Sequence, residues 1–259
     1  MIGYRLCQTK KAENPYFVEN ISTNIFTMEE LCFYMSQNLY LLDETILNEG
    51  LVRWLKEELG LDLLSRRLHK LLEEKASMAE LILPVMKEIQ YLNQAELKEL
   101  QQKLKQMEEQ PPLMRGKLKG DYLAGYHKYG NALKVYDEVL KNTDETVMGS
   151  QFKGSVWHNM GCAYARLFQM DEAMDCFEKA YDLLHSRDSM KSCLLAAYLQ
   201  LPREEFLKKA GELKAGDSLI QELEKEITRV LTEEDSDDEA VTEEILAGMT
   251  EEYHKSTGW

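Results

Sequence analysis

The stretch from Trp157 to Ala180 restricts what this chain can fold into more than any other. It runs Trp157-x-x-Met160-Gly161-x-x-Tyr164 and then Ala173-x-x-x-Phe177-x-x-Ala180. On a helix from Val156 to about Leu167 the first four fall at i, i+3, i+4 and i+7 and line one apolar stripe. Ala173, Phe177 and Ala180 make the matching stripe on a second helix, whose first turn carries Asp171 and Glu172, the charge that suits a helix N-terminus. Gly161 has no side chain where the returning helix must come close, so small residues meet large ones across the seam.

This spacing resembles the signature of the tetratricopeptide repeat, in which two antiparallel helices form a unit of about 34 residues that stacks on its neighbours. The resemblance covers about residues 113–200. It is fullest at 154–187, where His185 stands in place of the usual Pro. A weaker first repeat lies at 113–146: Gly120, Ala132 and Tyr136 keep the mutual spacings of Gly161, Ala173 and Phe177, while Gly125, Tyr129 and Gly130 mark the inter-helix region. Gly161 follows Gly120 by 41 residues, and the surplus over the usual period of about 34 is assigned to a lengthened loop at Glu145–Gly154. A degenerate third unit starts at 188, with Leu194, Leu195 and Tyr198, and meets Leu201-Pro202 early.

The resemblance implies an all-α protein, a short helical-hairpin solenoid after an N-terminal helical region, that acts as a non-enzymatic adaptor. A partner's peptide or helix would lie in the concave groove of the inner helices, against Lys117, Asp121, Ala124, His158, Asn159, Cys162 and Arg166. Some members of the family grip a peptide's terminal carboxylate. Lys117 and Asn159 fall at two of the five gripping positions, but Asp121, Ser189 and Cys193 replace an amide and two cations, so that grip is expected to be absent here.

Charge narrows the partners. The formal net charge of the 259 residues is −15, which disfavours nucleic acid and anionic lipid. Five cysteines without a C-x-x-C pair fit reduced, mostly buried thiols. The start of the chain has no apolar signal region and the longest apolar run, Cys193 to Leu199, is too short to span a bilayer, so a cytoplasmic location is expected. Against the overall acidity, Arg115, Lys117, Lys119, Lys128 and Lys134 cluster with Asp121 as the one acid among them. That patch reads either as a solvated helix face or as a holder for an acidic segment, a partner's or the chain's own at 233–239.

Taken in order, residues 1–26 lack a helical period and are expected to be extended or irregular. Residues 27–110 read as wholly helical: a Thr27–Glu30 capping box, helices at Glu49–Leu59 with a Gly60 stop, at Asp62–Glu74 with Leu63, Leu64 and Leu68 on one stripe, from Ser77 with Pro84 in the first turn or at a kink, and from Asn93. The Leu97, Leu100, Leu104, Met107 stripe spans about two heptads, too few for a sustained coiled-coil seam, so packing within the chain is expected in preference to homodimerisation. Gln110-Pro111-Pro112 marks the boundary. Residues 201–232 supply capping helices, with Ile220, Leu223, Ile227 and Val230 on one stripe, and 233–259 an acidic linker and a short amphipathic helix bearing Ile245, Leu246, Met249 and Tyr253.

No catalytic, cofactor or metal motif is present: the five histidines lack ligand spacing, and there is no phosphate-binding or nucleophile-elbow pattern. His158 and Cys162, at i and i+4, form a weak base–thiol pair with no third group to orient them. The competing expectations are a hydrolase or transferase with its site in the unassigned N-terminal half, and a structural homo-oligomer built on residues 93–109 or on the C-terminal helix.

Overall fold

The computed structural model describes residues 10–143 and 145–236. It is an all-α helical-repeat fold, preceded by one antiparallel hairpin, β1 (Tyr16–Val18) and β2 (Thr23–Ile25), in which Tyr16 faces Ile25 and Val18 faces Thr23. The extended lead-in thus takes a paired form, and it buries Val18 and Ile25 against the first helices.

Five helices follow: α1 (Met28–Gln37), α2 (Glu49–Glu57), α3 (Asp62–Glu73), α4 (Met78–Glu88) and α5 (Gln94–Glu109). Capping explains most of their starts. Thr27 with Glu30, Ser77 with Glu80 and Asn93 with Glu96 each form a reciprocal capping box, which satisfies N–H groups the helix cannot bond itself. Gly60 ends the run after α2 at φ 72°, a left-handed conformation that costs glycine little. Pro84 lies inside α4, beyond its first turn, without ending it, although it offers no N–H to the Glu80 carbonyl. Leu100, Leu104 and Met107 of α5 are buried in the core of this same half, so the stripe considered as a dimer seam is occupied within the chain. Leu63 departs from expectation: it is 77% exposed, while Leu64 and Leu68 turn inward.

Seven helices form the stack: α6 (Pro112–Gly125), α7 (Tyr129–Asn142), α8 (Glu145–Arg166), α9 (Met170–Leu184), α10 (Arg187–Gln200), α11 (Arg203–Glu212) and α12 (Asp217–Ser236). Pro112 occupies the first position of α6, where a missing N–H costs nothing. The glycine logic is visible in space. A Cβ on Gly120 would lie 2.4 Å from the Tyr136 ring and one on Gly161 would lie 2.7 Å from the Phe177 ring, so each hairpin closes on an aromatic that fills its glycine's place. Gly116 against Val139 and Gly154 against Leu184 repeat the device farther along the same hairpins. Ala132, Tyr136, Ala173, Phe177 and Ala180 are buried, Met160 nearly so, while Trp157 and Tyr164 are partly covered; the Lys179 ammonium lies 4.5 Å from the Trp157 ring centre.

Three expectations are corrected. The surplus at Glu145–Gly154 is not a loop: α8 is extended backwards through it and broken only at Gly149, at φ 77° and ψ 158°. Helix α12 continues past 232 to Ser236, into the stretch assigned to the acidic linker. On α12 Leu223 is buried together with Leu219, Ile220 and Ile227 pack partly buried against the same core, and of the expected stripe Val230 alone turns outward, 45% exposed. The proposed C-terminal amphipathic helix, residues 237–239 of the acidic run, and Cys7 lie outside the described residues.

The two halves meet at a single-turn 3-10 helix, Leu39–Leu41, lying against α6. Leu41 is fully buried in the core of the α6–α7 hairpin with Leu123 and Tyr136. Around it Lys119 pairs with Asp43, the Tyr126 hydroxyl donates to Asn38 Oδ1 at 2.6 Å, and the Tyr40 and Tyr122 rings sit 5.4 Å apart. Burial acts to raise the Asp43 carboxyl, but Lys119 and Thr45 outweigh it and hold it below the ordinary range. The other end of the stack is tied by Lys209 to Glu178 at 2.7 Å and Lys191 to Glu226 at 2.6 Å.

Candidate functional site

Helices α6 and α8 are the first helices of their hairpins, and the residues not consumed by the glycine seams face a common concavity of about 370 Å³. Asp121 and Ala124 line it from α6, and Asn159, Cys162 and Arg166 from α8. Spacings of three, four and seven put each set on one helix face.

Asp121 is the node of this wall. Its Oδ2 accepts from Lys117 Nζ at 2.7 Å, and its Oδ1 accepts from the Tyr136 hydroxyl and from Asn159 Nδ2, both at 2.7 Å. One carboxylate therefore binds its own helix, the returning helix α7 and the first helix of the next hairpin, α8. Burial and the nearby Asp121 charge push the Tyr136 hydroxyl pKa upward, so it remains a donor. Lys117 reaches the wall through this pair and does not itself line the concavity.

His158 lies elsewhere. It faces the next seam, where Nδ1 sits 3.1 Å from the Ser189 hydroxyl and the ring packs 5.4 Å from that of Phe177. Burial lowers its pKa, with Asp188 acting weakly the other way. Cys162 is reachable from the concavity, yet the surrounding protein raises its thiol pKa and Arg166 only partly offsets that. His158 thus bonds toward α10 while Cys162 opens to the concavity, so the base–thiol pair suggested by their spacing is not formed. The buried thiols of Cys32, Cys176 and Cys193 are pushed up further, to about 12, 11 and 11.

Of the positions compared with a carboxylate grip, Ser189 and Cys193 are buried, and Lys117 is engaged by Asp121. The basic patch is likewise not a free stripe, because Lys117 and Lys119 are paired with Asp121 and Asp43. Residues outside the expected groove set also line the concavity: His127 from the α6–α7 turn and Tyr129 at the start of α7 stand 2.7 Å apart from Nδ1 to hydroxyl. Tyr129 was legible only as a turn marker, and His127 gains its place by ending α6 in the left-handed conformation at φ 58°, which nothing in its identity announces. Among the described residues no group of three His, Cys, Asp or Glu is placed to hold a metal ion, and no helix is long and apolar enough to cross a membrane.

With this geometry in view, comparison with known proteins gives one result: the tetratricopeptide repeat family model matches residues 154–183. The C-terminal half of the chain therefore carries a tetratricopeptide repeat, a unit whose general role is protein–protein interaction. The match falls on α8 and α9, the hairpin closed by Gly161 on Phe177. No curated protein and no solved structure matches the chain.

Proposed function

We propose that this protein is a non-enzymatic adaptor that holds a peptide or helical segment of another protein in the concavity between α6 and α8. The observation that carries this reading is the Asp121 node. By tying Lys117, Tyr136 and Asn159 together it holds two repeats in register and sets a firm polar wall whose outer groups, Arg166, Cys162, His127 and Tyr129, remain open to a chain laid across them. Preorganisation of this kind lowers the ordering cost of binding.

The enzymatic alternative called for converging carboxylates in an apolar pocket. Among the described residues, the polar side chains buried in the N-terminal half are Thr27, Asn38 and Ser65, with no carboxylate among them. That composition favours a scaffold over a reactive centre. The free thiols suit a reducing compartment such as the cytoplasm.

A photo-crosslinking side chain installed at Ala124, within the concavity, and separately at Lys105, on the outward face of α5, tests the assignment in cells. Ala124 should yield adducts of defined mass that Lys105 does not. Equal adduct patterns from both sites would remove the groove as the binding surface.

A further inference from the structure

We infer that the segment taken by this groove is acidic, with an apolar residue within two positions of its carboxylate, and that Arg166 receives the carboxylate while Leu167 and Phe168 cover the apolar side chain. This rests on the groove reading above and names the chemistry of its occupant.

The first observation is a charge balance. The chain as a whole is strongly acidic, at −15, but the concavity is not. Asp121 is the carboxylate in its lining, and three donors already occupy its oxygens, Lys117 among them, so the pair is neutral toward a ligand. What remains is Arg166, exposed in the last turn of α8 and without an ion-pair partner among the described residues, with the His127–Tyr129 pair lining the same space. A guanidinium presents a planar fork of donors that a carboxylate matches with two parallel bonds. A basic segment would meet that charge unscreened.

The second observation is the turn that follows. Helices α3, α4, α6, α9 and α11 also end near a left-handed residue, and these are Lys75, Gln90, His127, His185 and Lys214, all polar. After α8 the position is held by Phe168, at φ 58° and 85% exposed, with Leu167 before it 42% exposed. Glycine or asparagine takes that conformation at less cost, and a ring left in water gains nothing from the fold. Both features are accounted for if a partner covers the ring. Phe168 does not line the concavity but follows, by two residues, Arg166, which does, so a segment that leaves the groove past Arg166 meets the ring within about two of its own residues. An extended segment places side chains i and i+2 on one face, about 6.5 Å apart.

Random dodecapeptides displayed against the full chain test this directly. Enriched sequences should carry Asp or Glu within two positions of Leu, Ile, Met, Phe or Tyr. A fluorescein-labelled enriched peptide should bind at least about tenfold more weakly to Arg166→Glu, by charge reversal, and more weakly to Phe168→Ser, with the contacts weakening as salt rises. Both side chains are exposed and outside the Asp121 node, and thermal melts of the two variants matching the parent show that each is folded. Neutral or basic enriched sequences, or an affinity that neither substitution moves, would overturn the acidic assignment while leaving the groove in place. Failure to enrich any peptide, together with no Ala124-specific adduct, would remove the groove itself. Binding seen only when Asp237, Asp238 and Glu239 are replaced by Asn, Asn and Gln would make the chain's own acidic segment the occupant and overturn the assignment to a partner.

Discussion

Gly120 and Gly130 lie on paired helices, α6 and α7, yet their surroundings make opposite demands. A Cβ at Gly120 would enter the Tyr136 ring, whereas one at Gly130 meets nothing within 4 Å. Alanine is the better helix former by about 1 kcal/mol, so Gly130→Ala should leave stability unchanged or raise it slightly. Gly120→Ala should lower it by about 1–3 kcal/mol, because the overpacked ring cannot leave without abandoning its bond to Asp121. Urea denaturation of both variants reads the contrast directly, and a stabilised Gly120→Ala would refute the seam as the reason for that glycine. The sequence declared this pairing through spacing alone. It could not declare the Asp121 node, because which of several polar groups converge depends on the rotation of α8 against α6.

At the scale of elements, α8 joins three structures at once: it closes on α9 through Gly161, faces α6 across the concavity, and touches the start of α10 through His158 and Ser189. That last contact has a pH signature. The folded pKa of His158 lies below the ordinary histidine value of 6.5. As pH falls through 6.5 the unfolded chain therefore takes up the proton first, so stability present above that pH is lost on acidification. Melting temperature should fall between pH 7 and pH 5, and His158→Gln, which keeps a polar group without titrating, should flatten that decline. An identical slope in the variant would assign the acid sensitivity to other groups. The lengthened loop expected at Glu145–Gly154, now the first part of α8, failed for a related reason. A polar stretch and a surplus over the repeat period are equally compatible with a loop and with a solvated helical extension, and packing against α9, with Gly154 over Leu184, selected the helix.

For the whole molecule the decisive contact is the one between its halves. Leu41, from an element in the N-terminal half, is buried among the core residues of the α6–α7 hairpin, and the Lys119–Asp43 pair adds an ionic tie between the same two halves. Leu41→Ala should cost about 2–5 kcal/mol, and Lys119→Met about 1–2 kcal/mol, between the values for exposed and buried pairs. If the halves depend on each other, thermal unfolding should pass from a single transition to two in Leu41→Ala, with the repeat half melting separately; a single unchanged transition would show the junction to be incidental. The amino-acid sequence by itself determined the helices, their caps, and the nesting of glycine and alanine against aromatics, because these are local periodicities that any folded form must honour. Only the tertiary structure decided which lysines are neutralised, where His158 points, and that Leu41 belongs to the core of the α6–α7 hairpin. Each of these is set by the angle and register between elements distant in the chain, and residue spacing carries no record of that angle.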